Sequence, residues 1–223
     1  MGFYRGPNIV TDDLKLALDA GSERSYSGSG TSAYSIVSTN TATLYNGVAY
    51  SGNNGGFWDF DGSDDYILTD FGSGLNPTTQ DLSYGVWVKP DAGQTSMFIM
   101  QSSWSGSQRF YIGSLSGKLA WGIQERGWNS ADTDLTFVND QWYYINIVFS
   151  GTTVKLYANG VLKATDTISS FVFDSNLGIG SGRPYTSTYY WNGGIAACRV
   201  YYQALTAAQV TQNFNAQKSR FGL

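Results

Sequence analysis

Between Asn139 and Thr167 the chain reads Asn-Asp-Gln-Trp-Tyr-Tyr-Ile-Asn-Ile-Val-Phe-Ser-Gly-Thr-Thr-Val-Lys-Leu-Tyr-Ala-Asn-Gly-Val-Leu-Lys-Ala-Thr-Asp-Thr. No other stretch limits the fold so strongly. Tyr143, Ile145, Ile147 and Phe149 fall on one face and Tyr144, Asn146 and Val148 on the other, which is the side-chain period of a strand. Ser150-Gly151 breaks the run. Val154, Leu156 and Ala158 then face one way and Lys155 and Tyr157 the other, an apolar-in, polar-out strand. Asn159-Gly160 is the pair best able to take the positive φ angles of a type I′ hairpin turn. Val161 to Ala164 returns, completing a β-meander.

The same reading extends in both directions. Leu14, Leu16, Leu18 and Ala20 alternate as a first strand. Gly21 to Gly56 is a polar excursion with short strands near Ala42–Tyr45 and Val48–Tyr50. Two strands between Gly56 and Phe71 flank a turn at Asp61–Asp65. Further strands fall on Leu82–Val88, Met97–Gln101, Arg109–Ile112, Leu119–Ile123, Leu177–Ile179 and Tyr189–Tyr202. A helix comes last, with Thr206 as its N-cap and Ala207, Val210, Phe214 and Ala216 at near-helical spacing. Turns recur at the spacing of a sandwich of roughly eleven to fourteen strands. With 223 residues, 27 Gly, 16 Tyr, 12 Phe and only 4 Pro, one all-β domain over residues 14–223 accommodates the whole pattern. Residues 1–13, broken by Gly6-Pro7, carry no core-forming period and are expected to form an N-terminal arm.

Composition removes several classes of function. The 13 Lys and Arg are scattered through a chain of net charge −4, whereas a nucleic-acid binder clusters them against phosphates. No apolar stretch is long enough for membrane insertion, and Met1 to Pro7 lacks the apolar run of a signal peptide. Histidine is absent, removing the commonest general base and transition-metal ligand. Cys198 is the only cysteine, so an internal disulfide is excluded, and the residue is expected in the core.

The order of these segments resembles the concanavalin A-like lectin/glucanase superfamily, in its laminin-G-like branch. The residues that carry the likeness are Phe60-Asp61-Gly62-Ser63-Asp64-Asp65-Tyr66-Ile67, Trp87-Val88-Lys89-Pro90, Gln141-Trp142-Tyr143-Tyr144, Val154 to Gly160, Leu177-Gly178-Ile179-Gly180, Trp191 to Tyr201, and Ala204 to Val210. The resemblance implies an all-β, two-sheet antiparallel jelly-roll sandwich closed by a short C-terminal helix. Gly6 to Asp12, Leu16 to Ala20 and Ser25 to Gly30 are similar to laminin-G-like structural proteins of tailed bacteriophages, marine ones above all. Ser35 to Asn40 departs from the pattern of those relatives. This likeness implies a virion structural protein, displayed on the virion surface as a decoration or fibre-type module. Residues 1–13 would dock on other capsid or tail proteins, and a homo-oligomer fits the same setting. A purely cementing protein without a glycan ligand is the alternative.

Three chemistries deserve weighing. Retaining glycoside hydrolysis, known in the glucanase branch, needs paired carboxyl groups about 5–5.5 Å apart. The only glutamates, Glu23 and Glu125, are far apart in sequence and no aspartate pair alternates on an interior strand, so no enzyme is expected. Asp59, Asp61, Asp64 and Asp65 form one acidic cluster. Asp61, Asp64 and Asp65 read either as Ca²⁺ ligands, since Ca²⁺ takes six to eight oxygens from flexible loops, or as a solvated Asp/Gly turn. Laminin-G-like domains often carry a calcium at the rim, which the resemblance brings to this turn. Finally, Trp104, Trp128, Tyr185, Tyr189, Tyr190 and Trp191 fall in loops or at strand ends, where sugar rings or a host surface could stack on them. For Trp121 and Trp191 the core reading is the stronger, since each sits on a strand face with other apolar residues, whereas Trp104 and Trp128 lie in polar surroundings.

Overall fold

Alternation places two antiparallel sheets face to face, each of eight strands. The computed structural model describes residues 7–93, 96–102, 110–123, 127–128, 133–169, 172–173, 176–181 and 189–223. The first sheet holds β1 (Leu14–Asp19), β4 (Ala49–Ser51), β5 (Phe57–Asp61), β7 (Leu82–Pro90), β12 (Tyr143–Ser150), β13 (Thr153–Ala158), β14 (Val161–Thr167) and β16 (Asn192–Tyr201). Its order is β14-β13-β12-β7-β16-β5-β4, with β1 beside β5 on the same edge of β16. The second sheet holds β2 (Ser32–Tyr34), β3 (Thr41–Tyr45), β6 (Tyr66–Thr69), β8 (Ser96–Ser102), β9 (Phe110–Leu115), β10 (Lys118–Ile123), β11 (Gly127–Trp128) and β15 (Leu177–Ile179). It runs β11-β10-β9-β8-β15-β6-β3-β2. The chain thus folds as the expected jelly-roll sandwich with helix α1 (Ala207–Gln217) near its C-terminus. β2 and β11 escape the sequence reading because they are three and two residues long, too short to show a period.

The core lies between the sheets. Ile145, Ile147 and Phe149 of β12 meet Ile112, Leu119, Trp121 and Ile179 of the opposite sheet, all at most 1% exposed. The meander pairs as read, with Ile147 opposite Leu156 and Ile145 opposite Ala158. Asn159 and Gly160 take φ of 51° and 80°, the left-handed pair that a type I′ turn demands. Cys198 is buried in this core, and burial pushes its thiol pKa up to about 12.

The reading fails on one face. Lys155 is exposed, but Tyr157, expected on the polar side of β13, is only 3% exposed, and Tyr144 and Val148 are buried with it. A second apolar layer covers the outer side of the first sheet. There Trp87, Trp142, Tyr144, Val148 and Tyr157 pack with Leu205, Val210 and Phe221. Thr206 caps α1 through a reciprocal capping box with Gln209, which satisfies two of the helix's orphan donors. Phe221, in the 3-10 turn Lys218–Phe221 that follows, stacks on Trp87 at 4.2 Å between ring centroids.

A polar network locks this layer. Asp19 accepts from Arg220 at 2.8 Å and lies 3.4 Å from Arg199. Gln217 Oε1 accepts from Arg199 at 2.7 Å and from the Trp87 indole at 3.0 Å. Residues 8–12 of the expected arm bond to the domain. Val10 is 6% exposed, its N–H donates to Asn213 and its carbonyl accepts from Tyr201. The carbonyls of Asn8 and Asp12 accept from Gln212 and Gln203. A lone Val10 gives no period, so its partners were invisible before α1 was placed.

Candidate ligand-binding rim

Crossings between the sheets gather at one end of the sandwich. β3 ends and β6 begins side by side, with Tyr45 opposite Tyr66. β5 ends and β16 begins side by side, with Asn192 opposite Asp61. The chain leaving Pro90 of β7 is held to the start of β16, because Asp91 N–H donates to the Asn192 carbonyl and the Asn192 amide to the Ala92 carbonyl. Trp191 N–H donates to Gly180, closing the connection from β15 to β16. Residues 46–48, 61–65, 91–93, 180–181 and 189–191 therefore meet at a single rim.

Carboxylates concentrate there. Asp61, Asp64 and Asp65 bring oxygens within 4.8 Å of one another. Asp65 is buried and accepts from the Asp61 N–H at 3.1 Å. Asp61 in turn accepts from the Ser63 N–H at 2.8 Å, and the Asn46 amide donates to the Asp64 carbonyl. Among the described residues no lysine or arginine is ion-paired with the three. Burial raises the Asp65 carboxyl above its ordinary value, and the charges of Asp61, Asp64 and Asp59 add to the rise while the Asp61 N–H opposes it. A hard cation taking oxygens from a flexible loop would relieve this repulsion. The donor set, all oxygen and drawn from one turn, fits Ca²⁺, with Asp61, Asp64 and Asp65 as the residues that would hold it. Asp59 lies below the rim, its carboxyl raised by burial and then by Asp91. Lys89 is already engaged, 3.7 Å from Asp91 and 3.5 Å from Asp140.

A pair of tyrosines adjoins the acidic turn. Tyr45 stacks on Tyr66 with ring centroids 4.6 Å apart and planes 10° from parallel. Tyr189 is 44% exposed and holds φ at 84°, a left-handed conformation that bulky residues rarely adopt. Burial, then the neighbouring Tyr189 phenol, pushes Tyr111 up to about 12. Tyr111 is the register partner of Gly122 on β10, and a methyl group there would overlap its ring. Burial and then the Asp64 carboxylate raise the Tyr190 phenol, which joins the 189–191 segment electrostatically to the acidic turn.

The candidates named from sequence divide accordingly. Tyr189 is exposed on the rim. Tyr190 is 6% exposed, and Trp191 is fully buried in the core against Phe137. Trp191 belongs to the core between the sheets, whereas Tyr190 is covered outside that core, with its phenol toward Asp64. The Trp128 backbone is the register partner of Gly122, while Trp104 and Tyr185 lie outside the described residues. Tyr45, Tyr66 and Tyr111 went unrecognised. Tyr45 and Tyr66 abut the Asn46-Gly47 and Asp61–Asp65 turns, and that adjacency was the available signal.

No curated protein sequence is significantly similar to this chain. Solved structures share its fold at low identity. The botulinum neurotoxin serotype D binding domain superposes with a TM-score of 0.70 at 14% identity, covering 92% of this chain and 51% of that one. Domain 4 of a GH43 extracellular arabinanase from Geobacillus stearothermophilus, solved with arabinotriose, gives 0.64 at 18% identity, covering 91% and 98%. A mutant sialidase of Trypanosoma rangeli with trans-sialidase activity gives 0.67 at 12%, covering 93% and 33%. The chain thus spans about half the length of the neurotoxin domain. Residues 61–211 match the laminin G model of the concanavalin A-like lectin/glucanases superfamily, and the chain belongs to that family.

Proposed function

We propose that this chain is a non-catalytic carbohydrate-binding module whose saccharide lies on the rim around Tyr189, Tyr45 and the Asp61–Asp65 turn. The observation that carries the reading is Tyr189, exposed in a left-handed backbone and next in sequence to Tyr190, whose phenol feels the Asp64 carboxylate of the acidic turn. Aromatic faces take the apolar C–H side of a sugar ring, while carboxylate oxygens accept from its hydroxyls. In the same proposal Ca²⁺ sits on Asp61, Asp64 and Asp65. Two fold relatives give the reading company. The arabinanase domain was solved with arabinotriose, and a serotype D neurotoxin binding domain was solved with N-acetylneuraminic acid.

The hydrolase alternative is weaker on geometry. Hydrolysis sets its two carboxyl groups on either side of a scissile bond, whereas Asp61, Asp64 and Asp65 share one turn. Glu23 is exposed on the segment after β1, and Glu125 lies outside the described residues. The virion setting rests on the likeness of Gly6–Asp12 and Ser25–Gly30 to phage structural proteins. In that setting the module faces outward on the particle, and residues before Asn8 make the contact with capsid or tail.

Glycan-array screening followed by calorimetric titration, with and without Ca²⁺, tests the main reading. Binding that falls about tenfold or more in Tyr189→Ala, roughly 1.4 kcal/mol, is expected. Full binding by Tyr189→Ala together with Tyr45→Ala would remove the rim from the assignment. Release of reducing ends from β-glucans or arabinans would restore the enzyme reading.

A further inference from the structure

A cleft of about 430 Å³ opens on the outer side of the first sheet, between β12, β13 and the start of α1. It lies toward Ser150 and Thr153, the end of the sandwich away from the rim. Val148 and Leu205, both buried, give it an apolar lining. Three kinds of hydrogen-bond donor reach it.

The first is Tyr157, only 3% exposed and part of the cleft lining. Among the described residues nothing bonds to its hydroxyl, and burial alone raises its pKa, so the phenol keeps its proton at neutral pH. Its hydroxyl opens into the cleft, where a ligand oxygen can take the place of water. The second is Lys155, two residues earlier on the same face of β13, exposed and without an ion pair among the described residues. The third is the helix start. The capping box satisfies the N–H groups of Thr206 and Gln209, which leaves those of Ala207 and Ala208 without intrahelical acceptors. Ala207 lines the cleft.

We propose that this cleft binds a small carboxylate-bearing molecule, its carboxylate held by Lys155, the Tyr157 hydroxyl and the first N–H groups of α1, and its apolar body lying on Val148 and Leu205. A single ammonium and the partial positive charge of a helix N-terminus match one negative charge, which selects a carboxylate over a phosphate dianion. The site is separate from the rim and independent of the saccharide reading there.

The test is ¹H–¹⁵N NMR titration of the full chain with glucuronate, acetate, inorganic phosphate and neutral methyl glucoside. Carboxylates are expected to shift the amides of Ala207 and Ala208 with a dissociation constant on the order of millimolar, and methyl glucoside to leave them still. Tighter binding of glucuronate than acetate identifies a sugar acid, and equal binding identifies a simpler carboxylate; both support the site. Lys155→Gln and Tyr157→Phe should each weaken it about tenfold. Tyr157→Phe removes a hydroxyl that holds no protein partner, so the fold persists and the loss is interpretable. Amides unmoved by either carboxylate, equal shifts with the neutral glucoside, phosphate binding tighter than both carboxylates, or undiminished binding by the two variants would each overturn the proposal.

Discussion

Two groups of aspartates mark opposite uses of charge. Under α1, Asp19 lies against Arg220 at 2.8 Å and Arg199 at 3.4 Å, with Gln217 closing the ring of contacts. At the rim, Asp65 sits beside Asp61 and Asp64 with no arginine or lysine ion-paired to any of them among the described residues. The first arrangement sets two arginines against one buried aspartate and fixes the C-terminal layer to the sheet. The second accumulates like charge where the loops open to solvent. Arginine pairs with the aspartate in the first place, and in the proposed reading an external partner takes that role in the second. On the proposed reading, the charges that hold the C-terminal layer and those that take the saccharide are separate sets.

The sharpest way to break this comparison is Asp19→Ala. It strands the buried Arg199, 5% exposed, and removal of one partner from a buried pair costs about 3–5 kcal/mol. Guanidinium unfolding should show that loss with saccharide binding unchanged in the surviving native fraction. A loss below about 1 kcal/mol, the range of surface pairs, would mean that the C-terminal layer is not held by its charges. Gly122→Ala acts on the other side. Its methyl group would overlap the Tyr111 ring, and overpacking costs about 1–3 kcal/mol. Because Tyr111 neighbours Tyr189, this variant should lose glycan affinity as well as stability. Unchanged affinity would confine the binding surface to the acidic side of the rim.

How much of this was legible beforehand follows from the range over which each interaction acts. The meander was readable because strand period and turn chemistry are local, as Ile145 to Phe149 and Asn159-Gly160 show. The double burial of the first sheet was not. Tyr157 and Val148 look like the wet side of a strand until α1, forty or more positions later, is laid over them. Val10 is a stronger case, since its partners Asn213 and Tyr201 lie about 200 residues away in sequence. At the rim the aspartates were visible as a run, yet their convergence with Tyr189 depends on four connections meeting at one end. Trp191 carried the composition of a binding residue and the register of a core one, and register decided.

Tyr189→Gly separates strain from function. A bulky residue in a sparsely populated backbone region costs roughly 1–3 kcal/mol, and glycine removes that cost while loosening the unfolded chain by a fraction of it. Thermal unfolding should show a gain of about 1 kcal/mol while glycan binding is lost. If stability and binding fall together, Tyr189 is a packing residue and the rim reading loses its anchor.

The smallest effect is the most diagnostic for the acidic turn. The Asp65 carboxyl is raised in the folded state by burial and by its acidic neighbours, so its ionised form is disfavoured there relative to the unfolded chain. The contribution is favourable below the ordinary carboxylate value of 3.8 and is lost as pH climbs through the raised folded value. At neutral pH without a cation, Asp65→Asn keeps the acceptor for the Asp61 N–H and removes one charge, so it should stabilise the protein by up to about 1 kcal/mol. Ca²⁺ reverses the order. The ion should raise the Tm of the parent chain and leave Asp65→Asn where it was, because binding to the native state alone stabilises by mass action. Equal Tm shifts in both proteins would place any calcium elsewhere. A parent chain more stable than Asp65→Asn in chelator would mean that the turn is held by Asp65 itself, and the contrast with Asp19 would vanish.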